Sequence, residues 1–181
     1  SAFVESASPR EVELAFEGFV HRTFQAVDAI ELVGGIQRAL RLHGDLEAAF
    51  LAGGEHVKDR LAGFHEMVFH ERPAQFRTRK HLANPLKGSA AKRLNMFLRW
   101  MVRPAAKGVD LGIWRGFEPS ELMIPLDVHT SNMGRHLGLL QRKANDWKAV
   151  EELTQSLREI EPMDPVRLDF ALFGLGAIEG F

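Results

Sequence analysis

Lys92 is the first of two residues in this chain whose types could do chemistry. A neutral lysine amine is a nucleophile that can form a Schiff base. Lys92 stands beside Arg93, and neighbouring cations and partial burial lower the pKa of a lysine. The setting therefore permits a reactive amine, although the residue alone fits an ordinary surface lysine equally well.

Asp127 is the second residue. It follows Pro125-Leu126 and precedes a helix predicted from Val128 to about Leu137. An aspartate at that position accepts hydrogen bonds from the first turn of the helix, so its ordinary role is that of an N-cap. From the residue alone, a helix cap is the favoured interpretation.

Positive charge is concentrated between Arg72 and Lys107. These 36 residues contain ten Lys and Arg and no Asp or Glu, whereas the other 145 residues carry 13 basic and 24 acidic side chains, a formal −11. Local accumulation of this kind favours contact with a polyanion. A solvated helix face beside a basic loop is the alternative interpretation.

The centre of this basic stretch predicts a hairpin between two helices. Backbone N–H groups at the start of the second helix can bind a phosphate, because they lack helical partners and the helix dipole favours an anion. Such contacts fix the position of a duplex without reading its sequence. The candidate phosphate contacts are Arg77, Arg79, Lys80, Lys87, Gly88, Ser89 and Arg93.

Other kinds of site find little support in the sequence. The chain has no cysteine, which excludes disulfides, thiolate zinc sites and cysteine-held iron–sulfur clusters. His65 and His70 are five residues apart and do not share a helix face, and His129 and His136 have no evident third ligand. We therefore expect no metal. We also expect no cofactor, because there is no Walker loop, dinucleotide fingerprint or nucleophile elbow.

The sequence gives no sign of a membrane partner. No apolar run approaches the roughly 18 residues of a membrane span, and the first residues lack the pattern of a secretory signal. We therefore expect a cytoplasmic protein.

Hydrophobic periodicity predicts an all-α fold of about eight helices. Ser8, Pro9 and Glu11 predict a capping box at the start of the first. At 181 residues the chain is long enough for one well-buried domain, so we expect a single domain over 1–181. The segments are 9–24, 27–42, 45–51, 55–71, 89–102, 128–137 and 146–160, with a last helix from 166, a basic loop over 73–87 and a long connector over 104–119.

Three motifs carry a resemblance to a known family. Residues 87–101, 125–130 and 168–174 closely resemble a bacterial family known mainly as a domain of unknown function. The resemblance runs from about Phe19 to the C-terminus. Members of that family usually begin with a further helical segment. The resemblance therefore implies that this chain is shortened at its N-terminus, with the missing segment as a possible separate partner.

That family in turn resembles the helix-hairpin-helix DNA glycosylases, in which a Leu-Pro-Gly-Val-Gly-Arg-Lys hairpin precedes a catalytic Lys and a later Val-Asp-Thr-His segment supplies a catalytic Asp. Leu86, Gly88 and Lys92 match the hairpin, with Ala90 in place of the second Gly, and Asp127 lies in a similar segment. The separation of 35 residues between Lys and Asp is similar to that in archaeal 8-oxoguanine glycosylases.

The resemblance implies a role for each candidate residue. Lys92 would attack C1′ of a damaged nucleotide and form a Schiff base. Asp127 would stay ionised, stabilise the charge developing on the sugar and help to move the lysine proton. The base would leave the stack, with Asp169 as an acceptor for its hydrogen bonds and Phe173, four residues on, as its stacking partner.

Three hypotheses follow. The first is a base-excision repair enzyme with DNA glycosylase and AP lyase (β-lyase) activity on oxidised purine, 8-oxoguanine, in double-stranded DNA. The second is a helix-hairpin-helix module that binds DNA without chemistry, which the Ala90 departure and the shortened N-terminus leave open. The third is an enzyme acting on RNA or a modified nucleoside. The segment His21-Arg22-Thr23-Phe24 also resembles the family, but the residues predict no role for it.

Overall fold

A computed structural model describes residues 2–70 and 76–178, and the described chain is mostly helical. This confirms the all-α class. The helices are α1 (Ala2–Ser6), α2 (Pro9–Ala15), α3 (Ala26–His43), α4 (Leu46–Leu51), α5 (Val57–Phe69), α6 (Phe76–Arg79), α7 (Lys92–Val102), α8 (Val128–His136), α9 (Trp147–Ile160) and α10 (Asp169–Ile178). Two short strands, β1 (Val20–His21) and β2 (Phe24–Gln25), pair antiparallel. Single 3₁₀ turns cover Pro85–Lys87, Ala105–Lys107, Pro119–Glu121 and Pro165–Leu168.

The chain divides into two compact units. The first spans Ser1–Glu55 and Asp59–Ala83, and the second spans His56–Lys58 and Asn84–Phe181. The expectation of a single domain stays a prediction. Within the described ranges, no helix is long and apolar enough to cross a membrane.

The first unit is organised around α3, which contacts α1, α2, α4 and α6. Its buried positions are Ala29, Gly35 and Ala39, together with Asp28. The larger apolar residues at helical spacing, Ile30, Val33, Ile36 and Leu40, are only half-buried. A Cβ on Gly35 would lie 2.5 Å from the backbone oxygen of Val68 in α5. Small residues therefore line this face because the two backbones approach closely, which hydrophobic periodicity alone does not reveal.

The predicted helix over 9–24 is correct only in its first half. The Ser8–Glu11 capping box is confirmed, but α2 ends at Ala15 and a β-hairpin follows. The aromatic residues that suggested helical spacing instead form a row, with ring centroids 5.8 Å apart for Phe16 and Phe19 and 6.1 Å apart for Phe19 and Phe24. Strands of two residues are too short to show an alternating pattern.

The predicted basic loop over 73–87 is partly wrong. Residues 71–75 lie outside the described ranges, α6 and a 3₁₀ turn occupy 76–79 and 85–87, and only 80–84 between them are irregular. A carboxylate distant in sequence stabilises α6: the Thr78 hydroxyl donates to Asp28 Oδ1 at 2.8 Å, and Arg77 Nη2 lies 2.9 Å from Asp28 Oδ2.

The second unit has its core along α9, where Trp147, Val150, Leu153 and Leu157 are buried. The helices α8 and α10 pack closely against each other. A Cβ on Gly176 of α10 would lie 2.8 Å from the backbone oxygen of His129 in α8. This close approach places the C-terminal part of α10 against the N-terminal end of α8, which Asp127 caps.

Candidate active site

The Lys92 ammonium and the Asp127 carboxylate form an ion pair, with Nζ 2.9 Å from Oδ2. Lys92 is the first residue of α7, and Asp127 is the N-cap of α8. The Lys92 side chain is 44% exposed and that of Asp127 is 15% exposed. The pair is therefore accessible from solvent on the amine side and sheltered on the carboxylate side.

Asp127 acts as a helix cap and an ion-pair partner at once. Its Oδ1 accepts the Thr130 N–H at 2.8 Å, as the N-cap prediction requires, while Oδ2 faces Lys92. Burial alone would raise the pKa of Asp127, but the Thr130 N–H and the Lys92 ammonium together hold that pKa below its usual range. The carboxylate is therefore ionised at neutral pH.

The segment that leads into Asp127 is anchored to α9. The Ile124 N–H donates to Thr154 Oγ1 at 3.1 Å. The Arg158 guanidinium donates to the backbone oxygens of Ser120, Glu121 and Leu122 at 3.2, 3.3 and 3.4 Å. These anchors were not identified from the sequence, because Thr154 and Arg158 look like ordinary polar positions of an amphipathic helix.

Lys92 follows a tight turn rather than a long hairpin loop. Gly88 ends the 3₁₀ turn at φ 87°, and its oxygen accepts the Trp147 N–H at 3.0 Å. Ala91, the N-cap of α7, has φ 49° and is buried. An alanine in the left-handed region is strained by about 1–2 kcal/mol. The turn therefore sets the direction in which the Lys92 side chain leaves α7.

Asp169, the first residue of α10, is 3% exposed, and the charges of Lys92 and Asp127 reach its carboxylate. Its Oδ2 accepts a hydrogen bond from Arg99 Nη1 at 2.6 Å. Burial raises the pKa of Asp169 to about 6, and the negative charge of Asp127 adds to this rise. The positive charges of Arg99 and Lys92 oppose it. The structure thus brings together three residues predicted from the sequence, Lys92, Asp127 and Asp169.

Arg99 is a site residue that sequence reasoning missed. It is 1% exposed, its guanidinium carbon lies 3.9 Å from the centroid of the Phe170 ring, and its Nε lies 3.5 Å from Asp110 Oδ1. Lys92, Asn95 and Arg99 are spaced by three and four residues and share one face of α7. That polar stripe on an otherwise apolar helix is the signal that could have identified it.

Phe173 lies on α10 with 41% of its surface exposed. Its ring meets His129 edge to face, with centroids 5.5 Å apart. His129 is two residues beyond Asp127 on α8, so Phe173 belongs to the same α8–α10 contact that positions the carboxylates. An exposed aromatic ring face can accept a stacked base.

The chain matches the model of a family described as a protein of unknown function, DUF2400, over residues 1–178. It belongs to the DUF2400 family. Comparison with curated proteins and with solved structures finds no match. Membership of a family of unknown function, expected from the motifs, is therefore confirmed, and the resemblance of the DUF2400 fold to DNA glycosylases stays a prediction.

The predicted phosphate contacts of this DUF2400 protein fall in both units. In the first unit, Lys80 is exposed. Arg79 lies against Phe69, with its guanidinium carbon 5.4 Å from the ring centroid, and Arg77 forms an ion pair with Asp28. The second unit exposes the others: Lys87, Gly88, Ser89 and Arg93. Their role in binding phosphate stays a prediction.

The basic stretch between Arg72 and Lys107 is not uniformly a cationic surface. Arg99 is buried against Asp169, and Arg103 pairs with Asp110 and with Asp164, whose Oδ2 lies 2.9 Å from Nη2. All three acids follow Lys107 in the sequence, so they are not counted in the basic stretch. Counting charges along the sequence therefore overestimates the exposed positive charge. Among residues 2–70 and 76–178, no group of three or more His, Asp or Glu side chains is arranged to hold a metal ion.

Proposed function

We propose that this DUF2400 protein is a DNA base-excision repair glycosylase with β-lyase activity on oxidised purine, with 8-oxoguanine as the substrate base. The observation that carries the proposal is the distance of 2.9 Å between Lys92 Nζ and Asp127 Oδ2. The two residues are 35 positions apart, and each has an ordinary role when taken alone. Their convergence, with a second carboxylate from Asp169 in electrostatic range, is the arrangement expected of an amine nucleophile with its stabilising anion.

The reaction begins when the Lys92 ammonium, paired with Asp127 in the free protein, loses a proton to solvent and becomes the neutral amine. Nζ bonds to C1′ of the target nucleotide as the bond from C1′ to the base breaks, and the base leaves with the bonding electron pair. Nζ gives up a proton to the leaving base. The nitrogen lone pair then breaks the bond from C1′ to the ring oxygen, which takes a proton from solvent, and the Schiff base forms. Water then takes a proton from C2′, the electron pair of that bond forms a double bond from C2′ to C3′, and the 3′-phosphate leaves, which cleaves the strand.

Asp127 stabilises positive charge in this scheme. The low pKa of its carboxylate keeps it ionised throughout the neutral range. A fixed anion beside C1′ lowers the energy of the cationic transition state, because it needs no reorganisation when the charge develops. The same low pKa makes Asp127 a weak proton acceptor, so charge stabilisation is its main contribution.

Asp169 and Phe173 read the extruded base. Oδ2 of Asp169 already accepts a hydrogen bond from Arg99. N–H donors on the edge of the base would therefore bond to Oδ1. Phe173 lies four residues further along α10 and offers an exposed ring for stacking. A hydrogen-bond acceptor beside a stacking platform suits a purine taken out of a duplex.

Borohydride trapping tests the proposal directly. Incubation of the protein with a duplex containing 8-oxoguanine and sodium borohydride is expected to give a covalent protein–DNA adduct, because borohydride reduces a Schiff base to a stable amine. Lys92→Gln removes the adduct. Lys148→Gln is the matched control, since Lys148 is an exposed lysine on α9 in the same unit, and it leaves the adduct intact.

Each other outcome identifies a different function. Absence of an adduct with wild type, together with salt-dependent binding to undamaged duplex, indicates a binding module without chemistry. An adduct that persists in Lys92→Gln refutes Lys92 as the nucleophile. A panel of oxidised, deaminated and alkylated bases in DNA and in RNA then defines the substrate, and an adduct confined to RNA overturns the assignment to DNA repair.

A further inference from the structure

Arg22 holds an unusual backbone conformation at the tip of the hairpin formed by β1 and β2. The strands pair Val20 with Gln25 and His21 with Phe24, so Arg22 and Thr23 form a two-residue loop. Arg22 has φ 55°. Positions of this kind ordinarily carry glycine or asparagine, because a larger side chain is strained there. An arginine at a strained, exposed position points to a function for its side chain.

The hairpin is rigid at its base. Phe16, Phe19, Phe24 and His81 form a continuous row of edge-to-face ring contacts, the last of them between Phe24 and His81 with centroids 4.9 Å apart. Such contacts add to the stabilisation from apolar burial. The row supports one side of the hairpin while the side chains of His21, Arg22 and Thr23 remain exposed.

Arg77 also fixes the hairpin. Its Nη2 donates to the backbone oxygen of Thr23 at 3.1 Å, and its Nη1 donates to Gln25 Oε1 at 2.7 Å. The buried carboxylate of Asp28 compensates its charge through Oδ2 at 2.9 Å. Arg77 was predicted as a phosphate contact, but these bonds commit its guanidinium to holding the loop, and Arg22 is the cation that the loop presents to solvent.

We propose that the hairpin tip binds the phosphate backbone of the nucleic acid, with Arg22 as the phosphate contact and Arg77 as the positioning residue. This inference rests on the proposed function, which supplies the nucleic acid partner. A guanidinium matches the two oxygens of a phosphate and releases counterions on binding. A rigid loop loses little conformational freedom when it binds, which favours affinity.

Arg22→Gly separates strain from charge. Glycine removes the strain, so we expect a rise in Tm of about 2–4 °C. Glycine also removes the cation, so binding to an undamaged duplex weakens several-fold, and the slope of log K against log salt becomes shallower by about one. A variant that is more stable and binds less tightly cannot be explained by misfolding. Arg22→Lys, which keeps the charge, retains the slope.

Arg10→Ala is the control for net charge, since Arg10 is an exposed arginine on α2 that pairs only with Glu13 among its described contacts. It is expected to leave the salt slope unchanged. Equal losses in Arg10→Ala and Arg22→Gly would overturn the proposal, and so would wild-type affinity and slope in Arg22→Gly. Arg77→Gln should lower the slope of log K against log salt as much as Arg22→Gly does, because Arg22 loses its support. It is measured at a temperature where the variant is folded. The double variant, Arg22→Gly with Arg77→Gln, should show no further fall.

Failure of this proposal is distinguishable from failure of the proposed function. A wild-type adduct at Lys92 together with unchanged binding in Arg22→Gly overturns the hairpin contact alone. A shallower salt dependence of binding in Arg22→Gly, with no borohydride adduct in wild type, supports the hairpin contact and overturns the proposed glycosylase and lyase activity. A wild-type protein that binds neither duplex nor single-stranded nucleic acid overturns both.

Discussion

Asp169 Oδ2 lies 2.6 Å from Arg99 Nη1, although 70 residues separate the two in sequence. Both side chains are buried, and Asp169 is also close enough to Asp127 and Lys92 for their charges to affect its pKa. The ion pair therefore links the interior of the second unit to its candidate active site. A buried charge that loses its partner is strongly destabilising, typically by about 3–5 kcal/mol.

The raised pKa of Asp169 predicts a specific dependence of stability on pH. The folded protein binds this proton more tightly than the unfolded chain does, because the folded pKa is about 6 and the ordinary value is 3.8. The contribution of Asp169 to stability is therefore complete below the ordinary pKa and is lost as the pH rises through 6. Asp169→Asn lacks this contribution.

The prediction is measured as a difference. The free energy of unfolding of wild type minus that of Asp169→Asn should fall by about 2–3 kcal/mol between pH 4 and pH 7 and then level off. Urea denaturation at each pH supplies both values. A difference that rises over this interval would mean that Arg99 lowers the pKa of Asp169 more than burial raises it.

Asp127→Asn separates the two roles of Asp127. Asparagine is as good an N-cap as aspartate, so the Thr130 N–H keeps an acceptor and Tm changes little. The anion beside Lys92 is lost, so we expect the single-turnover rate of base release to fall by about 10²–10³-fold. Asp127→Ala is the comparison: it loses the charge and the cap, and costs about 0.5–2 kcal/mol of stability. Equal rates in Asp127→Asn and wild type would restrict Asp127 to the role of a cap.

Arg158 is expected to support catalysis without contacting the substrate. Its guanidinium binds the backbone oxygens of Ser120, Glu121 and Leu122, which precede Asp127. Arg158→Met keeps an unbranched side chain in place of the arginine stem and removes these bonds, so the segment loses its anchor and stability falls by about 1–3 kcal/mol. At a temperature where the variant is folded, the yield of borohydride adduct should fall while affinity for undamaged duplex is retained. Loss of both together would place Arg158 in DNA binding.

The parts of this structure that could be predicted from the sequence depend on local interactions. The caps at Ser8 and Asp127 and the buried face of α9 follow from residues within one or two turns of each other. The hairpin over 20–25 and the burial of Arg99 could not be predicted in the same way. The hairpin depends on Arg77, more than 50 residues away, and Arg99 depends on Asp169. Local patterns carry no information about partners so distant in the chain.

The candidate site shows the same division. Lys92, Asp127 and Asp169 were identified because their motifs resemble those of a known family, whereas Arg99 belongs to none of the roles which that resemblance implies. An arginine on a helix is ordinarily assigned to the surface. Its burial becomes evident only when the carboxylates that compensate its charge, those of Asp110 and Asp169, are located in space.

The contact between α8 and α10 offers a matched pair of substitutions. A Cβ at Gly176 would lie 2.8 Å from the His129 backbone oxygen, whereas a Cβ at Gly174 meets no atom within 4 Å. Both glycines are in α10, so alanine at either position gains the same helix propensity, about 0.5–1 kcal/mol. Gly174→Ala should therefore stabilise the protein. Gly176→Ala should destabilise it by about 1–3 kcal/mol, because the two helices must move apart.

The same pair tests whether α8–α10 packing positions the site. Movement of α10 away from α8 displaces Asp169 and Phe173 relative to Asp127, so Gly176→Ala should lower the rate of base release. Gly174→Ala should leave the rate near that of wild type, since its Cβ lies in open space. Thermal melts and single-turnover assays measure the two effects separately. A Gly176→Ala variant that is destabilised but fully active would show that catalysis tolerates displacement of α10, and would remove Asp169 and Phe173 from the proposed base-reading role.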